Sequence, residues 1–253
     1  MSAAARLAAI DWQRPWLAPY RERGQALAAS VMEGASVSQA LNEALDARGG
    51  VRLDAGVLRF VPQSELPRGM PYETFVHRFA RVPTRDNLHD FFGGIVWLHH
   101  PALKREINQR HAREIDRRGD RARRGEVRDA LTLFDENGAL IEAPDDLLEL
   151  LRSRRWREPF VHRRRQWVSQ VRVTLVGHAL LEKLVSPFKA ITAHAIAAAP
   201  PGTPLDLSKA ALMPLPVLGI PGWWADNEAP GFYDDAAVFR GQREKQTSGI
   251  IAV

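Results

Sequence analysis

Apolar positions in this chain recur mostly at helical spacing. Leu88, Phe91, Phe92 and Ile95 fall at i, i+3, i+4 and i+7, and His99 continues the stripe, which predicts a helix from about Asp86. Thr84 or Asp86 is placed to cap it. Pro101 breaks or restarts it, and a basic helix follows to about Arg118. Upstream, residues 2–10, 24–32 and 36–47 are rich in alanine and leucine and free of proline, and read as helices ended by Gly49-Gly50. Residues 57–61 alternate like a short strand. Pro62 to Pro71 is a proline-punctuated loop, and Pro71 opens a short helix to about Ala80.

Downstream, residues 119–128 form a polar connector. Leu131–Phe134 and Ala139–Ile141 then flank Asp135-Glu136-Asn137-Gly138, which predicts a β-hairpin closed at Asn137-Gly138, with the two acids exposed at its tip. The calcium-loop spacing is missing there. Pro144-Asp145-Asp146 starts a helix, Val171–Val176 is a strand, and Gly177-His178 turns into a helix over 178–185. Residues 191–199 fit either a strand or a buried helix. From Pro200 onward prolines and glycines recur, predicting an ordered, irregular tail from Pro214 to Phe239 with Trp223 or Trp224 buried. The expected fold is a single compact α+β domain over 1–253, mainly helical, with a small sheet that includes a β-hairpin, a helical N-terminal portion over 1–50 and a Pro/Gly-rich C-terminal tail. Strands alternate with helices too rarely for a doubly wound sheet.

Composition narrows the chemistry. The 253 residues are 45% hydrophobic and 26% charged, as in ordinary globular domains. Cysteine is absent, which excludes disulfides, a thiol nucleophile and thiolate metal sites and fits a cytoplasmic location. No apolar run approaches a membrane span, and Asp11 cuts short the apolar start of the chain. The net charge of +5 is concentrated. Lys104–Arg128 holds ten Lys/Arg against five Asp/Glu, and Arg152–Arg172 holds eight arginines against Glu158 alone. Such stretches are either footprints for nucleic acid or another polyanion, or solvated helix surfaces. Aromatic stacking residues are sparse there, which favours the second.

The candidate chemistry gathers at three places. On the 86–97 helix, Asp86, Asp90, Gly93 and Trp97 share a face opposite the Phe92/Ile95 stripe, with His89 on the boundary. Both Gly93 and Gly94 cost helix stability, about 0.5–1 kcal/mol each relative to alanine, so something is expected to approach that backbone closely. The plain alternative makes Asp86 a cap and pairs Asp90 with Arg81 or Arg85. His178 and Glu182 stand i, i+4 on a helix that follows a strand, a spacing compatible with metal ligation. The plain alternative makes His178 a helix cap and pairs Glu182 with Lys183 or Arg172. His194, near Lys189, is a third position, equally readable as a packed core residue.

Several segments together resemble an uncharacterised bacterial family, the "domain of unknown function 3025" group: VPTRDNLHDFFGGIVW at 82–97, RDALTLFDENGA at 128–139, GHALLEKL at 177–184, PFKAITAHA at 187–195 and GIPGWW at 219–224. They make 82–240 the most characteristic part of the chain. The resemblance implies a bacterial single-domain protein and carries over no activity, cofactor or site residue. The expectation drawn from the residues is a small-ligand or hydrolase-like site. His89, Asp90 and His178 are its candidate catalytic groups, and Asp86, Trp97, Lys189 and His194 its candidate ligand- or phosphate-binding groups. His89, Asp90, His178 and Glu182 are the candidate ligands of a divalent metal such as zinc, iron or manganese. His89 and His178 are expected to meet across a shared cleft, with Asp90 or Asp86 in reach. The alternative is a non-catalytic basic module.

Overall fold

Leu7, Trp16, Tyr20, Leu41 and Leu45 from the first fifty residues converge on the same core as Phe91, Phe92, Phe134 and Phe160, so the N-terminal helices are part of the main body. The computed structural model describes residues 3–118, 125–200 and 203–241. The fold is α+β and mainly helical, with 54% helix against 14% strand among the described residues. Helices α1 (Ala3–Ala8), α2 (Arg21–Met32) and α3 (Val37–Ala47) lead into a two-stranded hairpin of β1 (Arg52–Leu53) and β2 (Gly56–Val57). Strand β3 (Arg59–Pro62), helix α4 (Tyr72–Phe79) and strand β4 (Arg81–Thr84) form one β–α–β unit with parallel strands. No helix among the described residues is long and apolar enough to cross a membrane.

Helix α5 (Leu88–His99) runs through the centre. Its N-cap is Asn87, whose side chain accepts from the Asp90 N–H at 2.8 Å. Neither expected cap serves. Thr84 ends β4 with its hydroxyl donating to the Val82 carbonyl, and Asp86 Oδ1 instead accepts the first N–H of α3, from Val37, at 2.8 Å. Both faces of α5 are buried, and Gly94 lets α3 come close: a Cβ there would stand 2.2 Å from the Leu41 side chain. A Cβ on Gly93 would meet the His178 ring at an ordinary 3.8 Å, so Gly93 borders the site without being sterically required. Pro101 restarts the chain as α6 (Pro101–Arg118).

The main correction to the sequence reading lies at 126–142. Residues Glu126–Asn137 form a helix, α7, and the chain passes directly into β5 (Gly138–Glu142). Asn137-Gly138 is therefore a helix-to-strand switch and closes no hairpin. Ala130, Leu131 and Phe134 lie on one buried helical face, and that burial outweighs the turn signal. The expected connector at 119–128 lies partly outside the described residues, and its end from Glu126 is already helical.

Helices α8 (Asp145–Arg152) and α9 (Arg164–Gln170) then lead to β6 (Arg172–Leu175), α10 (His178–Lys183), β7 (Thr192–Ala197) and β8 (Met213–Pro216). Residues 192–197 are a strand, which resolves the ambiguity at 191–199. The four-stranded sheet has the order β6-β5-β7-β8, with β5 and β7 parallel and the outer pairs antiparallel. The tail thus begins with a strand and continues through short 3-10 turns. Trp223 and Trp224 are half-buried against the core, and the buried aromatics of the tail are Tyr233 and Phe239. Asn227 anchors it by donating to the Leu218 and Ile220 carbonyls, each at 2.8 Å.

Candidate metal centre

Two backbone turns pack directly on each other to build the site. The Val176 and Gly177 N–H groups both donate to the Gly138 carbonyl at 2.9 Å. A Cβ on Gly177 would lie 2.4 Å from the Gly138 nitrogen and 2.5 Å from the Asn137 Cα, and a Cβ on Gly138 would lie 2.3 Å from the Phe134 carbonyl oxygen. Only glycine fits at either position. This contact brings the start of α10, with His178, against the end of α7, with Asp135 and Glu136. Helix α5 completes the site by presenting His89.

The two imidazoles face each other, with Nε2 to Nε2 at 3.0 Å and the ring planes 74° apart. Each Nδ1 is engaged elsewhere. His178 Nδ1 donates to the Asp135 backbone carbonyl at 2.8 Å, using an oxygen that the end of a helix leaves without an intrahelical partner. His89 Nδ1 donates to Glu182 Oε2 at 3.3 Å. Both acceptors can only accept, so both Nδ1 atoms carry hydrogen. With both rings neutral, the two Nε2 lone pairs stand 3.0 Å apart, and lone pairs at that distance repel unless a cation bridges them. Glu136 supplies an oxygen 3.7 Å from His178 Nε2. One ligand atom from each of His89, Glu136 and His178 lies within 4.8 Å of the other two. Donors about 2.0–2.2 Å from one tetrahedral metal stand about 3.3 Å apart, close to the 3.0 Å between the Nε2 atoms and the 3.7 Å from His178 Nε2 to Glu136.

The electrostatics keep His178 in binding form. Burial holds the His178 pKa below its ordinary value, aided by Lys104 and opposed by Asp135 and Glu136, so the ring stays neutral at neutral pH. Lys104, itself buried, donates to Asp135 Oδ1 at 2.5 Å and lies over the Trp97 ring, 5.6 Å from its centroid. Burial pushes the Asp135 carboxyl up, yet Lys104 wins and leaves it below the usual carboxylate range. Asp135 therefore braces His178 as an ionised, paired group. Around these residues lies a cavity of about 350 Å³, bordered by His89, Gly93, Trp97, Glu136 and His178, and also by Tyr72 and Glu73 of α4.

The other sequence candidates separate. Asp90 borders the cavity, but its carboxylate accepts from the Arg85 backbone N–H at 2.6 Å and from the Arg85 guanidinium at 3.0 and 2.9 Å, which is the Arg85 pairing of the plain alternative. Glu182 stands behind His89 and also pairs with Arg6 at 3.1 Å. Asp86 serves α3, and Lys189 pairs with Asp235 at 3.1 Å in the tail. His194 lies on β7, in register with Gly138, and does not border the cavity. Asp135 and Glu136 are the site residues that sequence reasoning assigned to a turn. The signal that could have found them is the helical spacing of Ala130, Leu131 and Phe134 just before them.

Among the described residues, many arginines of these stretches pair with acids of this chain. Arg105 meets Asp54, Arg110 meets Glu106 and Arg117 meets Glu114. Arg155 meets Glu158, Arg157 meets Asp234, Arg163 meets Asp146 and Arg164 meets Glu228. Exposed pairs of this kind add only about 0–1 kcal/mol each to stability, but they lower the positive field a polyanion would meet.

The model of the family described as "Protein of unknown function (DUF3025)" matches residues 58–206 and 202–243, most of the chain, and the protein belongs to that family. No curated protein and no solved structure matches it.

Proposed function

We propose that this DUF3025 protein is a divalent-metal hydrolase whose ion is held by His89 Nε2, His178 Nε2 and a Glu136 carboxylate oxygen. The observation that carries the reading is the pair of Nε2 atoms 3.0 Å apart with both Nδ1 atoms engaged by acceptors. A carboxylate or carbonyl behind each metal-bound histidine fixes its tautomer and raises its basicity, the roles that Glu182 and the Asp135 carbonyl fill here. Two imidazoles and one carboxylate, with space beside them, match the donor set of catalytic zinc sites that keep one position open. Zinc is the best fit, with iron and manganese served by the same donors.

A bound divalent ion lowers the pKa of its water to about 7 and polarises a substrate oxygen. The cavity beside the three ligands gives room for a small substrate, and Trp97 forms part of its wall. Asp90 and Asp135, each held by a cation, keep the surrounding charges fixed.

Metal analysis of protein purified without a polyhistidine tag tests the reading. The wild type is expected to carry close to one zinc, iron or manganese per chain. His178→Ala and Glu136→Gln are expected to lose it while keeping a cooperative melt. A metal-free wild type that takes up no added zinc overturns the reading, and leaves a proton shared between the two imidazoles as the occupant of the 3.0 Å gap.

A further inference from the structure

The charges bordering the cavity do not suit an anion. Two cations border it, Arg85 and Lys104. Arg85 is held through three hydrogen bonds to Asp90, from its backbone N–H, Nε and Nη2, and Lys104 is held by Asp135 and covered by Trp97. Each cation is thus charge-balanced by a carboxylate beside it, which weakens its pull on a phosphate or carboxylate. Of the acids, Asp90 and Asp135 are consumed by these pairs and Glu136 by the proposed metal. Glu73 remains. It is half-buried on α4, its backbone carbonyl accepts from Asn108 at 2.9 Å, and its carboxylate makes no hydrogen bond or ion pair among the described residues. Tyr72, which precedes it on α4 and is 40% exposed, also borders the cavity, and aromatic faces attract cations. The cavity, at about 350 Å³, is at the small end of ligand pockets.

We infer that the substrate is a small acyl compound bearing an ammonium group, an aminoacyl amide or ester, whose ammonium is received by Glu73 and whose carbonyl is received by the metal at His89, Glu136 and His178. The inference rests on the metal-hydrolase reading and adds the substrate class. In the reaction the oxygen of the metal-bound water bonds to the carbonyl carbon. The carbon–nitrogen or carbon–oxygen bond to the leaving group breaks, and one water proton ends on that group. The products are an amino acid and an amine or alcohol, with no oxidant or further reactant.

Glycine hydroxamate and acetohydroxamate test this directly. Both carry the same metal-binding group, and they differ in the ammonium, which is mainly protonated at about pH 7. The visible absorption of the cobalt(II)-loaded full chain, recorded first, reports metal binding alone. Titration with each hydroxamate and with inorganic phosphate then follows. Glycine hydroxamate is expected to bind at least about tenfold more tightly than acetohydroxamate, since a single ion pair in a partly dry pocket supplies that much. Phosphate is expected to bind least. Glu73→Gln is expected to remove the preference and leave acetohydroxamate affinity unchanged, which also reports an intact fold. Equal binding of the two hydroxamates by the wild type, a preference that survives Glu73→Gln, or phosphate binding tightest overturns this inference alone. A protein that takes up no cobalt overturns the metal reading, and this inference with it.

Discussion

His89 is the residue on which most of the account turns, because its two nitrogens face opposite duties: Nδ1 meets Glu182 at 3.3 Å and Nε2 meets His178 at 3.0 Å. Glu182→Gln keeps the volume but weakens the acceptor behind His89. It is expected to cost about 10–100-fold in metal affinity, measured by competition with a chelator, with little change in the melt of the metal-free protein. Gly94 makes a different kind of prediction. Gly94→Ala presses a methyl group into Leu41, which is fully buried, and overpacking of this sort costs about 1–3 kcal/mol. Urea unfolding should show that loss, set against a gain in helix propensity of about 1 kcal/mol at most. Gly93→Ala meets only an ordinary contact and should be neutral or stabilising. At this scale the sequence was informative about the glycine pair and the two histidines, since glycine cost and i, i+4 spacing are local properties. It misplaced Glu136 at an exposed turn, because that residue's role depends on what packs beside it.

Among the elements, the junction of α7 with β5 and the turn from β6 into α10 decide whether a site exists. Gly177→Ala sets a methyl group against the backbone of Asn137 and Gly138, which no side-chain rotation relieves. The expected result is a loss at or above about 1–3 kcal/mol, with weakened metal retention because His178 shifts away from Glu136. A Gly177→Ala protein with unchanged stability and metal content would remove the packing argument. The same junction shows why the hairpin at Asn137-Gly138 was misplaced. Asn-Gly favours tight turns locally, but the apolar positions before it, Ala130, Leu131 and Phe134, gain more as one buried helix face than as a short strand. Strand β4 was hidden for a related reason: Arg81–Thr84 is short, contains Pro83 and is recognisable only by its parallel pairing with β3. Helices α2, α3 and α5 and strand β6 were legible because their periodicity is their own. Asn87, in contrast, took the capping role from Thr84 and Asp86 once tertiary partners claimed those two side chains.

For the whole molecule, acid should be the destabilising direction around neutrality. Burial lowers the pKa of His99, His178 and His194, and brings His100 from 6.5 to about 4. The unfolded chain then binds more protons than the folded one below the ordinary histidine pKa, so stability rises with pH there and falls on acidification. His100 places the fall between about pH 6.5 and 4, because burial, and then the neighbouring His99, oppose its protonation; the neutral ring's Nε2–H donates to the Tyr20 oxygen at 3.1 Å, while the Tyr20 hydroxyl donates to the Leu175 carbonyl. Urea midpoints should be nearly flat above pH 7 and decline below 6.5, and His100→Gln should flatten the decline. A midpoint that holds or rises on acidification would contradict the buried neutral histidines. The central claim is that one divalent ion joins α5, α7 and α10 at His89, Glu136 and His178, and anomalous diffraction from crystals of the zinc-loaded protein at the zinc absorption edge tests it most directly. The account predicts one strong anomalous peak about 2.0–2.2 Å from both Nε2 atoms and a Glu136 oxygen. Fully zinc-loaded crystals with no peak there, or with peaks only at surface carboxylates, would contradict it.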